Sequence, residues 1–182
     1  MMKWFKWIIT PLLALCFLVS GCNFSKPEEK PAAPPVKEQN FVVFRVTGSD
    51  QGYLVPEKHT IKDNGKSVAE NALRTLVEVK PQDVKLANIF PEGTKVLGLN
   101  VKDGVASADF SKELKQIGGG SSTELMVTGS IVNTLTEFPE IKKVQIMIEG
   151  RKIVTLNGHM DLLDPLERDT SLFSAGQKNK TK

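Results

Sequence analysis

A pair of amphipathic helical segments, each flanked by strand patterns, most restricts how this chain can fold. Each segment begins at a serine followed three residues later by a glutamate, which is capping-box spacing, and each is closed by a proline. We predict the first helix over 67–78 and the second from Ser121 to about Phe138. The predicted buried faces are Ala69, Ala72, Leu73 and Leu76 in the first helix and Val127, Thr128, Ile131, Val132, Leu135 and Phe138 in the second.

Strand patterns occupy most of the sequence around these helices. The β-branched and aromatic runs 41–47 and 143–149 are typical of strands, and we predict two more at 52–61 and 152–156. A hairpin is predicted around the favoured turn Asp103-Gly104, because apolar residues occur at every second position in the segments on both sides of it. The order β-β-α-β-β-α-β-β predicts an α+β fold, with two helices packed on one face of a small, mainly antiparallel sheet.

The first 22 residues have the composition of an export signal. They combine a positive start at Lys3 and Lys6, an apolar run over 7–19, and small residues before a cysteine. The apolar run is shorter than the about 20 residues that span a bilayer. Val19-Ser20-Gly21-Cys22 resembles the bacterial lipobox, so we predict cleavage between Gly21 and Cys22 and lipidation of Cys22. The alternative is an uncleaved membrane anchor in which the cysteine is incidental.

The chain is predicted to have four consecutive parts. The signal peptide covers 1–21, and the lipidated cysteine with a flexible linker covers 22–40. The linker has four prolines between lysines and glutamates and little to bury. A single domain is predicted over 41–169, followed by a disordered basic tail over 170–182. Lipidation of Cys22 after export would hold the domain at the extracytoplasmic face of the cell membrane.

Charge and cysteine content exclude several classes of function. Cleavage removes Lys3 and Lys6 from the 24 basic residues, leaving 22 against 21 acidic residues. This balance gives no reason to expect a nucleic-acid partner, because such proteins usually carry a strongly basic face. Both cysteines, Cys16 and Cys22, lie in the leader region, so no disulfide is expected in the folded part.

Several ordered motifs resemble those of the GerMN domain, which occurs in sporulation and spore-germination lipoproteins. The motifs that carry the resemblance are FPEGTKVLG at 90–98, VASADFS at 105–111, GGGSSTE at 118–124, IVNTLTEFP at 131–139, and the closing segments 144–150 and 156–159. Ala108 stands where valine is commoner in the family. The resemblance spans roughly 41–169.

The resemblance implies a non-catalytic protein-interaction or scaffolding module, acting in sporulation, spore germination or assembly of the cell envelope. It implies no cofactor, metal or catalytic residue. The expected partners are the membrane, through the lipid, and an envelope or spore-associated protein, with a second copy of the chain as a further candidate. An exposed strand edge is the surface most suited to such binding. The rival hypotheses are a cell-wall processing enzyme and a small-ligand-binding lipoprotein.

Four features of the sequence could each serve a site, and each also has a structural explanation. Gly118–Ser121 before a helix offers backbone N–H groups to an anion, although a flexible helix entry explains it as well. Asp109 and Glu124 offer a carboxylate pair, although capping and turn bonds explain both. The loose trio of His159, Asp161 and Asp164 offers metal ligands without an established geometry. Phe90-Pro91 is either a recognition patch or, as we expect, a buried loop anchor.

Overall fold

The computed structural model describes residues 37–48 and 52–174, within which the chain forms two helices and eight strands. The strands are β1 (Glu38–Thr47), β2 (Leu54–Lys62), β3 (Leu86–Ala87), β4 (Val96–Lys102), β5 (Val105–Phe110), β6 (Lys143–Ile148), β7 (Arg151–Lys152) and β8 (Leu166–Glu167); the helices are α1 (Val68–Glu78) and α2 (Ser121–Leu135). The predicted α+β class is confirmed, and the predicted order holds except for the added two-residue strands β3 and β8.

The strands form two sheets, whereas the sequence predicted one. In the described residues the first sheet has the order β2-β1-β3, and the second has the order β4-β5-β6-β7 with β8 also paired to β6. The pairings between two named strands are antiparallel except that of β5 with β6, which are parallel because α2 joins them as a crossover connection. The hydrophobic core joins both sheets, since Phe41 and Val43 of β1 belong to the same buried cluster as Ala106 and Ile146.

The serine half of the predicted capping box forms at the start of helix α1. The Ser67 hydroxyl oxygen accepts a hydrogen bond from the Glu70 N–H at 3.1 Å. The Glu70 carboxylate instead accepts from Lys66 at 2.8 Å and from Arg74 at 2.9 Å along the helix surface. The predicted apolar face is buried, and the helix packs with it against β1.

Helix α2 begins differently from its prediction. Its N-cap is Gly120, no side chain caps the helix, and Ser121 is the first helical residue. The helix ends at Leu135, so Phe138 lies beyond it, half-buried. From Val127 to Leu135 the helix is buried on every side, and the single predicted stripe therefore understates its burial.

Replacing the two serines tests this difference between the helices. Ser67→Ala should lower the free energy of unfolding by about 1 kcal/mol, because it removes the hydroxyl that caps α1. Ser121→Ala should change it by less than about 0.5 kcal/mol, because Ser121 is exposed and caps nothing. Urea unfolding followed by circular dichroism measures both values. Equal losses from the two substitutions would contradict the observed caps.

The end of the domain lies further along the chain than predicted. Thr170–Leu172 forms a 3-10 turn, and Leu172 and Phe173 are buried, so the predicted disorder from residue 170 is wrong for 170–174. Leu172 packs so closely on Gly129 of α2 that a Cβ at Gly129 would collide with it. The Phe173 ring lies 4.9 Å from that of Phe44 in β1. Residues 175–182 lie outside the described part.

The start of the domain also differs from its prediction. Strand β1 begins at Glu38, three residues before the predicted boundary, because Glu38, Gln39 and Asn40 already pair with β2. The signal peptide and the predicted linker up to residue 36 lie outside the described residues. In the part of the chain that is described, no helix is both long and apolar enough to cross a bilayer.

Candidate functional site

The predicted lipidation site lies outside the part of the chain that the structure describes. Gly21 and Cys22 both fall within 1–36, so cleavage and acylation stay predictions. The remaining predicted site residues all lie in the described domain, and their surroundings decide what they can do.

Glu124 is a buried carboxylate that organises the loop after β7. Its Oε1 accepts hydrogen bonds from the Thr155 hydroxyl at 2.6 Å, Leu156 N–H at 2.9 Å and Asn157 N–H at 3.1 Å. Its Oε2 accepts from His159 N–H at 2.9 Å. These bonds draw the chain away from β6, which explains why β7 ends at Lys152 and not at the predicted Leu156.

The pKa of Glu124 reflects this set of donors. Burial alone would raise the pKa, but the bonds from Thr155, Asn157, His159 and Leu156 outweigh burial and hold the pKa below its ordinary value. The carboxylate is fully buried and accepts four hydrogen bonds from its own chain, so it stays ionised and is not exposed to a substrate. Glu124 is therefore a structural anion.

The predicted carboxylate pair does not form an acid-base site. Asp109 Oδ1 accepts from the Gly150 N–H at 2.9 Å, which fastens the turn after β6. Glu124 is occupied as described above. The turn-bonding interpretation therefore accounts for Asp109, and loop anchoring accounts for Glu124.

The glycine loop and the loose metal trio are also tied into local structure. Gly119 has φ +82° and its carbonyl accepts from the Asn157 side chain at 2.9 Å, which links the helix entry to the loop held by Glu124. Asp161 Oδ1 accepts from Leu163 N–H at 2.9 Å. Across residues 37–48 and 52–174, no group of three His, Cys, Asp or Glu side chains is placed to hold a metal ion.

The family-like segment at 90–98 is a turn that leads into β4. Phe90 is buried, as a loop anchor should be, and Pro91 is half-buried. Thr94 is buried, and its hydroxyl donates to the Pro91 carbonyl at 2.7 Å while Gly93 takes φ +80°. The expectation of a buried anchor is therefore confirmed for Phe90.

A second buried polar network, around Arg45, was not predicted. Arg45 lies in the apolar strand β1 with only 2% of its surface exposed. Its guanidinium donates to the carbonyls of Leu76 at 2.6 Å, Thr75 at 2.9 Å and Val79 at 2.8 Å at the end of α1. The charge thus reaches carbonyls at the C-terminal end of α1, where the last C=O groups of a helix lack intrahelical partners, although Thr75 also accepts from the Val79 N–H at 3.3 Å. A lone arginine inside FVVFRVT was the signal that could have revealed it.

Glu57 of β2 completes this network. Its carboxylate contacts Arg45 Nε at 3.2 Å and His59 Nε2 at 2.6 Å, and it accepts from the Gln82 N–H at 2.8 Å. Burial alone would raise the pKa of Glu57, but the Gln82 and His59 hydrogen bonds and the Arg45 charge lower it below its ordinary value. These groups bind one another, so the network connects α1, β1, β2 and the turn that contains Gln82.

The two long edge strands differ in how they are protected. Strand β2 has Phe173 bridged to Leu54, a proline at 56 without an N–H, and the exposed Lys58. Within the described residues β4 pairs only with β5, and its apolar side chains Leu97 and Val101 are 51% and 40% exposed. Strand β4 has an irregular register between Val96 and Gly98, and beyond this point its edge is the less protected of the two.

Two buried side-chain oxygens have no hydrogen-bond partner within 37–48 and 52–174: Asn133 Oδ1 and Gln145 Oε1. An unpaired buried polar atom costs roughly 1–3 kcal/mol, so each calls for an explanation. Asn133 lines a cleft between α2 and the segment that follows β7. No sequence motif distinguished Asn133, because this residue lies among the apolar residues of the buried face of α2.

Comparison with protein families and curated proteins places the domain among spore proteins. A family model named Germane, described as sporulation and spore germination, matches residues 42–154. The spore germination protein GerM of Bacillus subtilis strain 168 is 33% identical over 137 residues, which cover 71% of this chain and 37% of GerM. This chain therefore spans little more than a third of the length of that relative.

Two solved structures from Bacillus subtilis are similar to this domain. The tandem GerMN domains of the sporulation protein GerM match with a TM-score of 0.61 and 26% identity, over 72% of this chain and 46% of theirs. The first GerMN domain of GerM matches with a TM-score of 0.58 and 28% identity, over 71% of this chain and 97% of that chain. The similarity thus extends to nearly all of one GerMN domain.

Proposed function

The chain belongs to the Germane family of sporulation and spore germination proteins, as its motifs predicted, and from this membership we propose that it is a lipid-anchored, non-catalytic binding module. Cys22 is the proposed anchor at the outer face of the cell membrane, and the segment up to the domain is the spacer. The domain binds a protein partner that takes part in sporulation, germination or assembly of the envelope.

The observation that best supports a binding role is the use of the buried charges. Glu124, Glu57 and Arg45 each direct their polar atoms at other parts of the domain. A hydrolase needs an acid, a base or a nucleophile that faces substrate in a cleft. These buried groups instead make the domain rigid, which suits a module that presents a fixed surface.

The surface that best fits a protein partner is the exposed edge of β4. An unprotected edge strand offers its backbone N–H and C=O groups to an added strand, and exposed apolar side chains provide contact area. Leu97 and Val101 supply such side chains, and the strand carries no charge before Lys102. The start of β4 is covered, since Val96 N–H donates to Glu78 of α1 at 2.8 Å. The proposed contact therefore lies over 97–101.

Site-specific crosslinking in the cells that make the protein tests this proposal. A photoreactive amino acid at Leu97 should yield a discrete adduct, identified by mass spectrometry as an envelope or spore-associated protein. The same amino acid at Lys58, exposed on the protected edge of β2, is the matched control and should yield little or none. Equal adducts from both positions would contradict the β4 surface. Degradation of peptidoglycan by the purified chain would contradict the non-catalytic role.

The anchor has its own test. Cys22→Ala should leave the signal peptide uncut and abolish incorporation of labelled fatty acid, because the thiol that forms the thioether is gone. Cys16→Ala is the matched control within the same leader and should be processed and labelled normally. Labelling that persists in Cys22→Ala would contradict the proposed lipid anchor at Cys22. It would not affect the proposed binding surface, which the crosslinking experiment tests separately.

A further inference from the structure

The turn between β4 and β5 decides which backbone groups of β4 are free. Asp103 and Gly104 take positive φ values of 52° and 79°, as a two-residue hairpin turn requires. In such a hairpin the residues that flank the turn, here Lys102 and Val105, exchange backbone hydrogen bonds. Every second residue of β4 before Lys102 then bonds to β5 in the same way.

The residues that alternate with these bonded positions direct their backbone groups away from β5. They are Leu99 and Val101, since Asn100 and Lys102 are the bonded ones. Within 37–48 and 52–174 the structure gives the outward N–H and C=O groups of Leu99 and Val101 no partner. The β4 edge thus offers two donors and two acceptors at alternate positions.

We propose that this edge pairs with the same edge of a second copy of the chain, antiparallel about a two-fold axis. A two-fold contact is self-complementary, so the same two sets of residues meet twice. Centring the pairing on Asn100 places Leu99 opposite Val101 of the second copy and Val101 opposite its Leu99. Each of these pairs exchanges two hydrogen bonds, so all the free groups find partners. This inference rests on the proposed function, because it names the partner of the β4 edge.

Neighbouring two-fold registers use the free groups less well. Centring the pairing on Leu99 sets Val101 opposite Leu97, where the register with β5 is irregular. Centring it on Val101 sets Leu99 opposite Asp103, which lies in the turn. Of the three registers, the one centred on Asn100 is therefore the one that pairs both outward residues of both copies.

The side chains along β4 also suit this register. Val101, which is 40% exposed, gains an apolar cross-strand contact with half-buried Leu99 of the second copy. Asn100 is exposed and faces its own counterpart, and two amides can each donate to and accept from the other. Lys102 lies opposite Gly98 of the second copy, where open space leaves room for the lysine side chain.

The charges at the two ends of the pairing are balanced. Lys102 and Asp103 of one copy come to the end of β4 that carries Lys95 and Glu78 of the other. In this register Lys102 faces a glycine and Asp103 faces Leu97, so no like charges lie directly opposite each other. Such direct opposition would destabilise the pair. The edge is thus compatible with its own copy in charge as well as in hydrogen bonding.

Disulfide trapping in intact cells that make the full chain tests this register. Asn100 and its counterpart form a non-hydrogen-bonded pair, whose Cα atoms are about 4.5 Å apart. That separation lies within the roughly 4.4–6.8 Å range of disulfides. Under mild oxidation Asn100→Cys should therefore yield a covalent dimer that migrates at twice the mass of the chain and is lost on reduction.

Lys102→Cys is the matched control on the same strand. Because Lys102 faces position 98 of the second copy, its own counterpart lies four residues further along, about 14 Å away. Lys102→Cys should therefore give no more dimer than the wild type, which also measures any background from Cys16 and Cys22. Equal dimer yields from Asn100→Cys and Lys102→Cys would overturn the inference.

A charge placed within the paired residues should weaken the contact. Val101→Lys, added to Asn100→Cys, sets a lysine opposite Leu99 in both pairs and should lower the dimer yield about tenfold. Val154→Lys changes an exposed valine that follows β7 and should leave the yield unchanged. A dimer yield that does not respond to Val101→Lys would overturn the inference.

The crosslinking experiment separates a failure of this inference from a failure of the proposed function. The expected result is an Asn100→Cys dimer together with a Leu97 adduct between two copies of the chain. No Asn100→Cys dimer, with a Leu97 adduct to a different protein, would overturn the self-pairing and leave the β4 surface in place. No dimer, with equal adducts from Leu97 and Lys58, would overturn both.

Discussion

Replacing Arg45 with methionine should lower the free energy of unfolding by about 3–5 kcal/mol, which is the cost of removing one partner of a buried ion pair. Methionine fills much of the arginine volume, so the loss comes mainly from the charge and its hydrogen bonds. The carbonyls of Leu76 and Val79 lose the arginine donor, Thr75 keeps only its bond from the Val79 N–H, and buried Glu57 keeps a charge without the Arg45 counter-ion. Urea unfolding followed by circular dichroism measures the effect.

The control for this prediction is Arg151→Met, since Arg151 is exposed in β7 and should change stability by less than about 0.5 kcal/mol. Adding Glu57→Met to Arg45→Met should recover part of the loss, because the unpaired buried charge is then gone. The helix carbonyls would still lack a donor, so recovery is expected to be incomplete. An Arg45→Met protein within 1 kcal/mol of the wild type would show that the network contributes little.

Glu124→Ala should lower the free energy of unfolding by at least about 3 kcal/mol, because it leaves three backbone N–H groups without an acceptor at roughly 1 kcal/mol or more each. These are the N–H groups of Leu156, Asn157 and His159. Amide hydrogen exchange should accelerate first at these three positions. Glu140→Ala, which removes an exposed glutamate, should leave both stability and exchange unchanged.

The pH dependence of stability gives an independent check on Glu124. Its folded pKa lies below the ordinary value of 4.5, so the unfolded chain binds the proton more readily. The stabilisation is therefore present above that ordinary value and is lost as the pH falls through the folded pKa. Glu124→Gln removes the titrating group, so the variant should lose less stability than the wild type in acid. An identical acid profile would assign the acid sensitivity to other carboxylates, Glu57 first.

Local sequence patterns identified the helices and the hairpin, because the formation of these elements depends mainly on residues that are close in sequence. The 3.6-residue period of Ala69, Ala72, Leu73 and Leu76 placed α1 correctly, and Asp103-Gly104 placed the hairpin, where both residues take positive φ. The serine hydroxyl caps the helix at Ser67, whereas Gly120 and not Ser121 forms the entry of α2. Both glutamates are used elsewhere, Glu70 by Lys66 and Arg74 and Glu124 by the loop at 155–159, so the capping-box spacing predicted only the serine half of the first box.

Features that depend on distant contacts could not be predicted in the same way. The separation into two sheets depends on how β1 packs against both helices, which no local period records. The buried position of Leu172 and Phe173 depends on Gly129 and Phe44, more than 40 residues away. Asn133 has the spacing of a core position, and only the surrounding structure shows that its amide oxygen lacks a partner.

The contact between Phe44 and Phe173 bears on the order in which the domain is completed. Arg168 lies over both rings, at 5.3 Å and 5.4 Å, and bonds to Glu137 at 2.8 Å, so the last described residues close over the first strand. A chain that emerges from the ribosome N-terminus first cannot make this closure until residue 173 has emerged. The final packing of Phe44 is thus delayed until the last described residues have been synthesised.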